Sequence, residues 1–156
     1  MGKEIERKFL VKNDDWKNRA EAYTYKQGYL SIEEARNVRI RIIGTKGFLT
    51  LKGKSIGAER LEFEYEIPLE DAKTILGKLC ILPLIEKTRY KLCENNLLWE
   101  IDVFEGINKG LILAEVELTN ENQKFKKPEW LGEEVTYDPK YYNSNLVNKS
   151  CSSWDK

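Results

Sequence analysis

The sequence predicts a mainly β protein: about eight antiparallel strands, arranged as a sheet or a closed barrel, with a few small flanking helices. Three observations predict it. Eight segments alternate apolar and polar residues with a period of two, as strands with two different faces do. Their connections are short and carry hairpin signals, such as the two glycines of "GTKG" at 44–47 and the pair Asn95-Asn96. Helical spacing stands out in one stretch, where Leu69, Ala72, Ile75, Leu76 and Leu79 follow Pro68.

In chain order, "KEIERKFLV" is the first strand and "NDDWKNRAEA" a polar helix or loop. "YTYKQGYLSI" is the second strand; "NVRIRIIG" and "GFLTLKGK" are the third and fourth, joined at the glycine turn. "ERLEFEYEI" is the fifth, and "PLEDAKTILGKL" the helix. "LIEKTRYKLCE", "LLWEIDVFE" and "GLILAEVELT" complete the eight strands. Beyond them, "KPEWLGEEV" and "DPKYYNSNLVNKS" read as short helices or loops. In the latter, Tyr141, Tyr142 and Leu146 suit a short helix, placed either over one mouth of the barrel or on its outer skin. A single domain is expected over residues 1–148, with a frayed tail over 149–156.

Composition narrows the function. The chain has 156 residues, enough for one domain with a real core, and 26 basic residues balance 26 acidic ones. That balance argues against general nucleic-acid binding. No histidine is present, which removes Ser-His and Cys-His dyads, imidazole metal ligands and histidine bases. Cys80, Cys93 and Cys151 have no metal-ligand spacing and read as reduced thiols of a cytoplasmic protein. Nothing resembles a signal peptide or a membrane span.

The charges fall on one face of each strand. Glu4, Glu6 and Lys8 share a face of the first strand; Arg39 and Arg41 of the third; Thr50, Lys52 and Lys54 of the fourth. Arg60, Glu62, Glu64 and Glu66 line the fifth; Lys87, Arg89 and Lys91 the sixth; Glu100 and Asp102 the seventh; Glu115 and Glu117 the eighth. A solvated sheet face is the plain alternative, because antiparallel sheets often keep one wet side. Yet like charges recur at i, i+2, a repulsion of a few tenths of a kcal/mol or more per pair. A closed sheet would turn them into a polar bore, with the apolar face outward under helices and loops. Clustered carboxylates without His or Cys suit Mg²⁺ or Mn²⁺. Clustered Arg and Lys suit phosphate, and one cavity holding both suits a polyphosphate–metal complex.

These segments resemble the CYTH superfamily, the triphosphate tunnel metalloenzymes. "EIERK" is similar to its ExExK signature, and "VRIR", "LTLKGK", "RLEFEYEI", "KTRY", "EIDVF" and "AEVEL" follow in the family's order over residues 1 to about 148. The resemblance implies an eight-stranded antiparallel closed β-barrel, a tunnel with a charged interior, and Glu4, Glu6, Glu115 and Glu117 as metal carboxylates. It implies Glu62, Glu64 and Asp102 as groups that support a metal or orient water, and Lys8, Arg39, Arg41, Lys52, Lys87 and Arg89 as the triphosphate cradle. Lys8 would also stand beside the attacking water. Lys54, Glu66, Lys91 and Glu100 fall toward the rim. Tyr29 of "QGYL" stands where relatives carry a tunnel tyrosine, or else packs as an ordinary strand residue.

The expected activity is metal-dependent hydrolysis of the terminal phosphoryl of a small-molecule triphosphate, inorganic tripolyphosphate or a nucleoside triphosphate. Class IV-type adenylyl cyclase and thiamine triphosphatase are the alternatives within the family, although the His-Phe element preceding the signature in the cyclase branch is missing. A module binding polyphosphate or RNA 5′-triphosphate ends without turnover is the non-enzymatic one. The oligomeric state is left open.

Overall fold

A computed structural model describes residues 3–151 and 154. The eight expected strands form: β1 (Lys3–Val11), β2 (Glu21–Ile32), β3 (Asn37–Ile43), β4 (Lys46–Lys52), β5 (Glu59–Ile67), β6 (Ile81–Glu94), β7 (Leu97–Phe104) and β8 (Ile112–Glu117). Pairing runs β5-β4-β3-β2-β6-β7-β8-β1, and β1 returns to β5, so the sheet closes into an antiparallel barrel. Two hairpins turn where the sequence predicts. Gly44 has φ of 58°, and Asn95 and Asn96 have φ of 55° and 63°, the left-handed pair that a tight turn between twisted strands requires. Helix α1 (Leu69–Lys78) forms as its spacing predicts.

"KPEWLGEEV" is not a helix or plain loop: Leu131–Glu134 is a ninth strand, β9, paired with β1. The reason lies in the closing seam. Among the described residues, only Lys3, Glu4 and Ile5 pair with β5, which would leave the upper edge of β1 open. β9 takes over from Phe9 onward; the Val135 amide donates to the Lys8 carbonyl, and the Lys12 amide to the Trp130 carbonyl. Gly132 permits the approach, since a Cβ there would stand 3.0 Å from the Leu10 carbonyl oxygen. The Arg7 guanidinium, stacked on Phe9 and Phe125, donates through two nitrogens to Glu134 and pins the strand.

The apolar residues make two clusters outside the barrel wall and a third inside one end of it. Outside β1, β6, β7 and β8, Phe9, Leu92, Trp99, Ile101 and Val116 pack under Trp16, Leu118, Trp130 and Leu131. Ala72 and Leu76 of α1 cover Ile40 of β3. The expected cover stops there: Leu51 on β4 and Leu61, Phe63 and Tyr65 on β5 are 39%, 56%, 44% and 56% exposed. One helix spans too little of the sheet to reach both its own patch and this outer corner.

The interior core seals one end. Tyr29, Ile85, Phe104 and Leu113 point inward and meet Tyr141, Leu146 and Val147. Of the two placements open for the C-terminal helix α2 (Asn143–Asn148), the one over a mouth of the barrel is realised. Within the tail, Cys151 and Trp154 lie against this core, with Trp154 edge-on to Tyr141.

Candidate active site in the bore

The charged residues face a cavity of about 400 Å³ inside the barrel. Register brings them together. Glu6 stands opposite Glu117 and Lys8 opposite Glu115 across β1–β8; Glu100 stands opposite Glu115 across β7–β8. Lys52 stands opposite Glu62 across β4–β5, and Arg89 opposite Asp102 across β6–β7. One wall is therefore carboxylate-rich, built from β1, β5, β7 and β8. The other is cationic, built from β3 and β6.

Of the sequence-predicted site residues, Glu4, Glu6, Lys8, Arg39, Arg41, Lys52, Glu62, Glu64, Lys87, Arg89, Glu115 and Glu117 all line this cavity. So do Lys91, Glu100 and Tyr29, whereas Lys54 and Glu66 are not among its lining residues. Asp102 lies behind the surface, fully buried in the wall. Its carboxylate accepts from Lys87 Nζ at 2.7 Å and from Arg89 Nε and Nη2 at 2.7 and 2.9 Å. From there it holds two cradle cations in place without facing the cavity itself.

The cationic wall has donors to spare. Arg41 Nη2 donates to Glu64 at 3.2 Å, and Arg39 Nη2 to Thr50 at 3.4 Å, but the buried Nε atoms of both arginines have no partner among the described residues. Buried donors are normally satisfied, so these fit anionic oxygens. Burial and the neighbouring Arg39 and Arg89 push Arg41 down to about 10. Burial, outweighing Asp102, pushes Lys87 down to about 7.

The carboxylate wall is short of positive charge. Burial raises Glu4 to about 7, and burial with Glu115 and Glu4 beside it raises Glu6 well above the ordinary carboxylate range. Burial opposes ionisation of Glu62 too, but a hydrogen bond from Glu4 and the Lys52 ammonium hold it at about 2. Glu115 stays low against its burial because Lys8 and Arg89 face it. Protons shared between Glu4 and Glu62, and between Glu6 and Glu115, thus separate carboxylates that would otherwise repel. Lys52 Nζ sits between Glu4 and Glu62 at 2.9 and 3.1 Å, an ammonium standing where cationic charge is needed.

This all-oxygen, anion-dense donor set fits a hard divalent cation, with Glu4, Glu6, Glu115 and Glu117 as the groups that would hold it. Among the described residues, no three such groups are already gathered into a coordination sphere.

The shared protons have a measurable consequence. Folded Glu4 and Glu6 keep protons that the unfolded chain releases near pH 4.5. Their stabilisation is therefore full below 4.5 and is lost as pH rises through about 7 for Glu4. A shift from 4.5 to about 7 corresponds to roughly 3 kcal/mol for Glu4. From about 7 to 10.5 the trend reverses, because unfolded Lys87 holds a proton that the folded state has lost. The metal-free protein should show a melting-temperature minimum near neutrality in EDTA, and Glu4→Gln/Glu6→Gln should flatten its acid side. A melting temperature climbing steadily from pH 5.5 to 7.5 would contradict the shared protons.

Several site residues escaped the sequence. Tyr25 of β2 lines the cavity, with three cations around its ring. Its signal was the alternation Tyr23, Tyr25, Gln27, Tyr29, which places it on the face already recognised at Tyr29. Asn143 of α2 reaches in from the sealed end, its Oδ1 accepting from Lys87 Nζ at 2.9 Å and Gln27 Nε2 at 3.2 Å. No local pattern marks it, because the contact depends on where the helix docks.

A closed antiparallel barrel whose bore sets a carboxylate wall against an arginine–lysine wall defines a β-tunnel site for a polyanion and a cation together. The chain belongs to the CYTH family: the CYTH domain matches residues 2–148. An inorganic triphosphatase from Acetivibrio thermocellus is 53% identical over 94% of this chain and 94% of its own length. One from Nitrosomonas europaea is 40% identical over 92% and 96%. The crystal structure of an inorganic triphosphatase, 36% identical, superposes with a TM-score of 0.66 over 92% of this chain and 93% of the other. Triphosphatases of this family are metalloenzymes. No helix among the described residues is long and apolar enough to cross a membrane.

Proposed function

We propose that the protein hydrolyses inorganic tripolyphosphate, releasing the terminal phosphoryl as orthophosphate and leaving pyrophosphate, with Mg²⁺ or Mn²⁺ as cofactor. The observation that carries this reading is the opposition of the two walls inside a bore sealed at one end by α2. The relatives named as inorganic triphosphatases support it.

Arg39, Arg41, Lys87 and Arg89 bind the phosphate chain along the cationic wall, and Asp102 fixes the last two. Lys8, at the sealed end, neutralises a phosphate or faces the attacking water. Glu62 and Glu64 orient that water by accepting its hydrogen bonds. Water attacks the terminal phosphorus in line; the bridging P–O bond breaks, its electron pair leaves on pyrophosphate, and the protons of the water stay with the released orthophosphate. Because such transition states are loose, positioning and charge stabilisation do most of the work. A divalent cation held by Glu4, Glu6, Glu115 and Glu117 would supply charge neutralisation to the bound phosphate chain.

A panel of tripolyphosphate, ATP, GTP, thiamine triphosphate and an RNA 5′-triphosphate end, each with Mg²⁺ and with Mn²⁺ and with products identified, tests the proposal. Tripolyphosphate should give the highest kcat/KM, with orthophosphate and pyrophosphate as products. Cyclic AMP with pyrophosphate from ATP would identify a cyclase instead. Metal-dependent binding without turnover would identify a binding module.

A further inference from the structure

Tyr25 is 2% exposed and belongs to β2, the one barrel strand whose inward face carries no charge over Tyr23 to Tyr29. Its register explains its neighbours: it stands opposite Ile43 of β3 and Lys87 of β6. The Arg41 and Arg89 guanidinium carbons each lie 5.0 Å from its ring centroid, and Lys87 Nζ lies 5.8 Å away. These distances are within cation–π range, and the site is desolvated, where that attraction is strongest. One ring thus touches cations from both strands of the cationic wall, at the point where β2 separates them.

We propose that Tyr25 is a positioning residue for the phosphate cradle: its ring face holds Arg41, Lys87 and Arg89 at the spacing a polyphosphate needs, before the polyphosphate arrives. Both arginines have competing carboxylates. Arg41 reaches Glu64 at 3.2 Å; Arg89 reaches Glu100 at 3.3 Å and Glu115 at 3.5 Å as well as Asp102. Without the ring, Arg41 and Arg89 would repel each other and turn further onto those carboxylates. The incoming anion would then have to pull them back, and binding would weaken. The ring also excludes water from the cations, which strengthens their attraction for phosphate. Its π face supplies negative character without a full charge, so it orders the cations and does not compete with the ligand as another Glu would.

The inference rests on the proposed function, and its test separates the two. Binding of inorganic tripolyphosphate to the metal-free protein is measured by titration calorimetry, and KM and kcat are measured with Mg²⁺. Tyr25→Leu should weaken binding about tenfold and raise KM by a similar factor, with a smaller effect on kcat; Tyr25→Phe should recover most of the loss. Because Tyr25→Leu can disturb folding, a series of phenylalanine analogues with one to five ring fluorines at position 25 provides the isosteric check. Each fluorine withdraws π density, so affinity should fall steadily along the series. Equal binding across it, or a Tyr25→Phe variant as weak as Tyr25→Leu, overturns the role of the ring face while leaving the function intact. A wild-type protein that neither binds tripolyphosphate nor hydrolyses it with Mg²⁺ or Mn²⁺ overturns both.

Discussion

Chelation with EDTA abolishes tripolyphosphate hydrolysis, and Mg²⁺ or Mn²⁺ restores it: this is the expected result with the largest effect. Its physical basis is the charge balance of the carboxylate wall. Glu4 and Glu6, both raised above the ordinary carboxylate range, are relieved in the metal-free protein by protons and by Lys52. A polyphosphate adds further negative charge to the same bore, and neither protons nor Lys52 can neutralise both. Replacing Glu4 and Glu6 together by Gln should leave the metal-free protein as stable or more stable, because a repulsive, desolvated pair has been removed. The same variant should lose most of the melting-temperature rise that metal plus a non-hydrolysable triphosphate gives the wild type. Single changes, Glu6→Gln or Glu117→Gln, should each lower turnover by about 2–4 kcal/mol of transition-state stabilisation, with partial recovery at high metal. Full activity after exhaustive chelation would remove the metal assignment altogether.

Arg41→Ala and Arg89→Ala should both cost about 2–4 kcal/mol in transition-state stabilisation, with no recovery at high metal, yet part company in stability. Arg89 is locked into the wall. It gives Asp102 two hydrogen bonds and faces Glu100 and Glu115, and these partners, outweighing its burial, hold its guanidinium firmly charged. Its removal leaves Asp102 buried with Lys87 as its remaining cation, a loss of about 3–5 kcal/mol. Arg41 is different: burial and two neighbouring arginines work against its charge, and Glu64, its ion-pair partner, has a side chain one-third exposed. Its removal relieves repulsion, so Arg41→Ala should fold with wild-type or slightly greater stability while its substrate binding collapses. Denaturant unfolding beside steady-state kinetics reads both quantities. Equal stability losses in the two variants would mean that the cradle is one undivided network.

What could be read from the residues alone was whatever depends on period and local spacing. The i, i+2 alternation of Glu4, Glu6 and Lys8, of Arg39 and Arg41, and of Glu115 and Glu117 placed each charged face correctly. A strand's two faces are set by backbone geometry, whatever its neighbours. Gly44 and the Asn95-Asn96 pair marked their turns because left-handed backbone admits few residue types. Pro68 and the apolar spacing after it marked α1 for the same kind of reason.

Other features arose only when distant segments met. β9 has four residues and no alternation of its own; it is a strand because β1 left an edge to pair and Arg7 held Glu134 against it. The docking of α2 at one mouth was decided by Tyr29, Ile85 and Phe104, which offered Leu146 an apolar stopper's seat inside the barrel. Lys52 between Glu4 and Glu62, Asp102 behind the cavity surface, and Tyr25 among three cations all follow from inter-strand register and side-chain reach. The sequence by itself determined the eight barrel strands, their charged faces and the presence of carboxylates and cations together in one chain. Only the tertiary structure decided which charges neutralise one another and which stay free for a ligand. Strand periodicity is a property of the local backbone, whereas the balance of burial and Coulomb energy exists only once the barrel has closed.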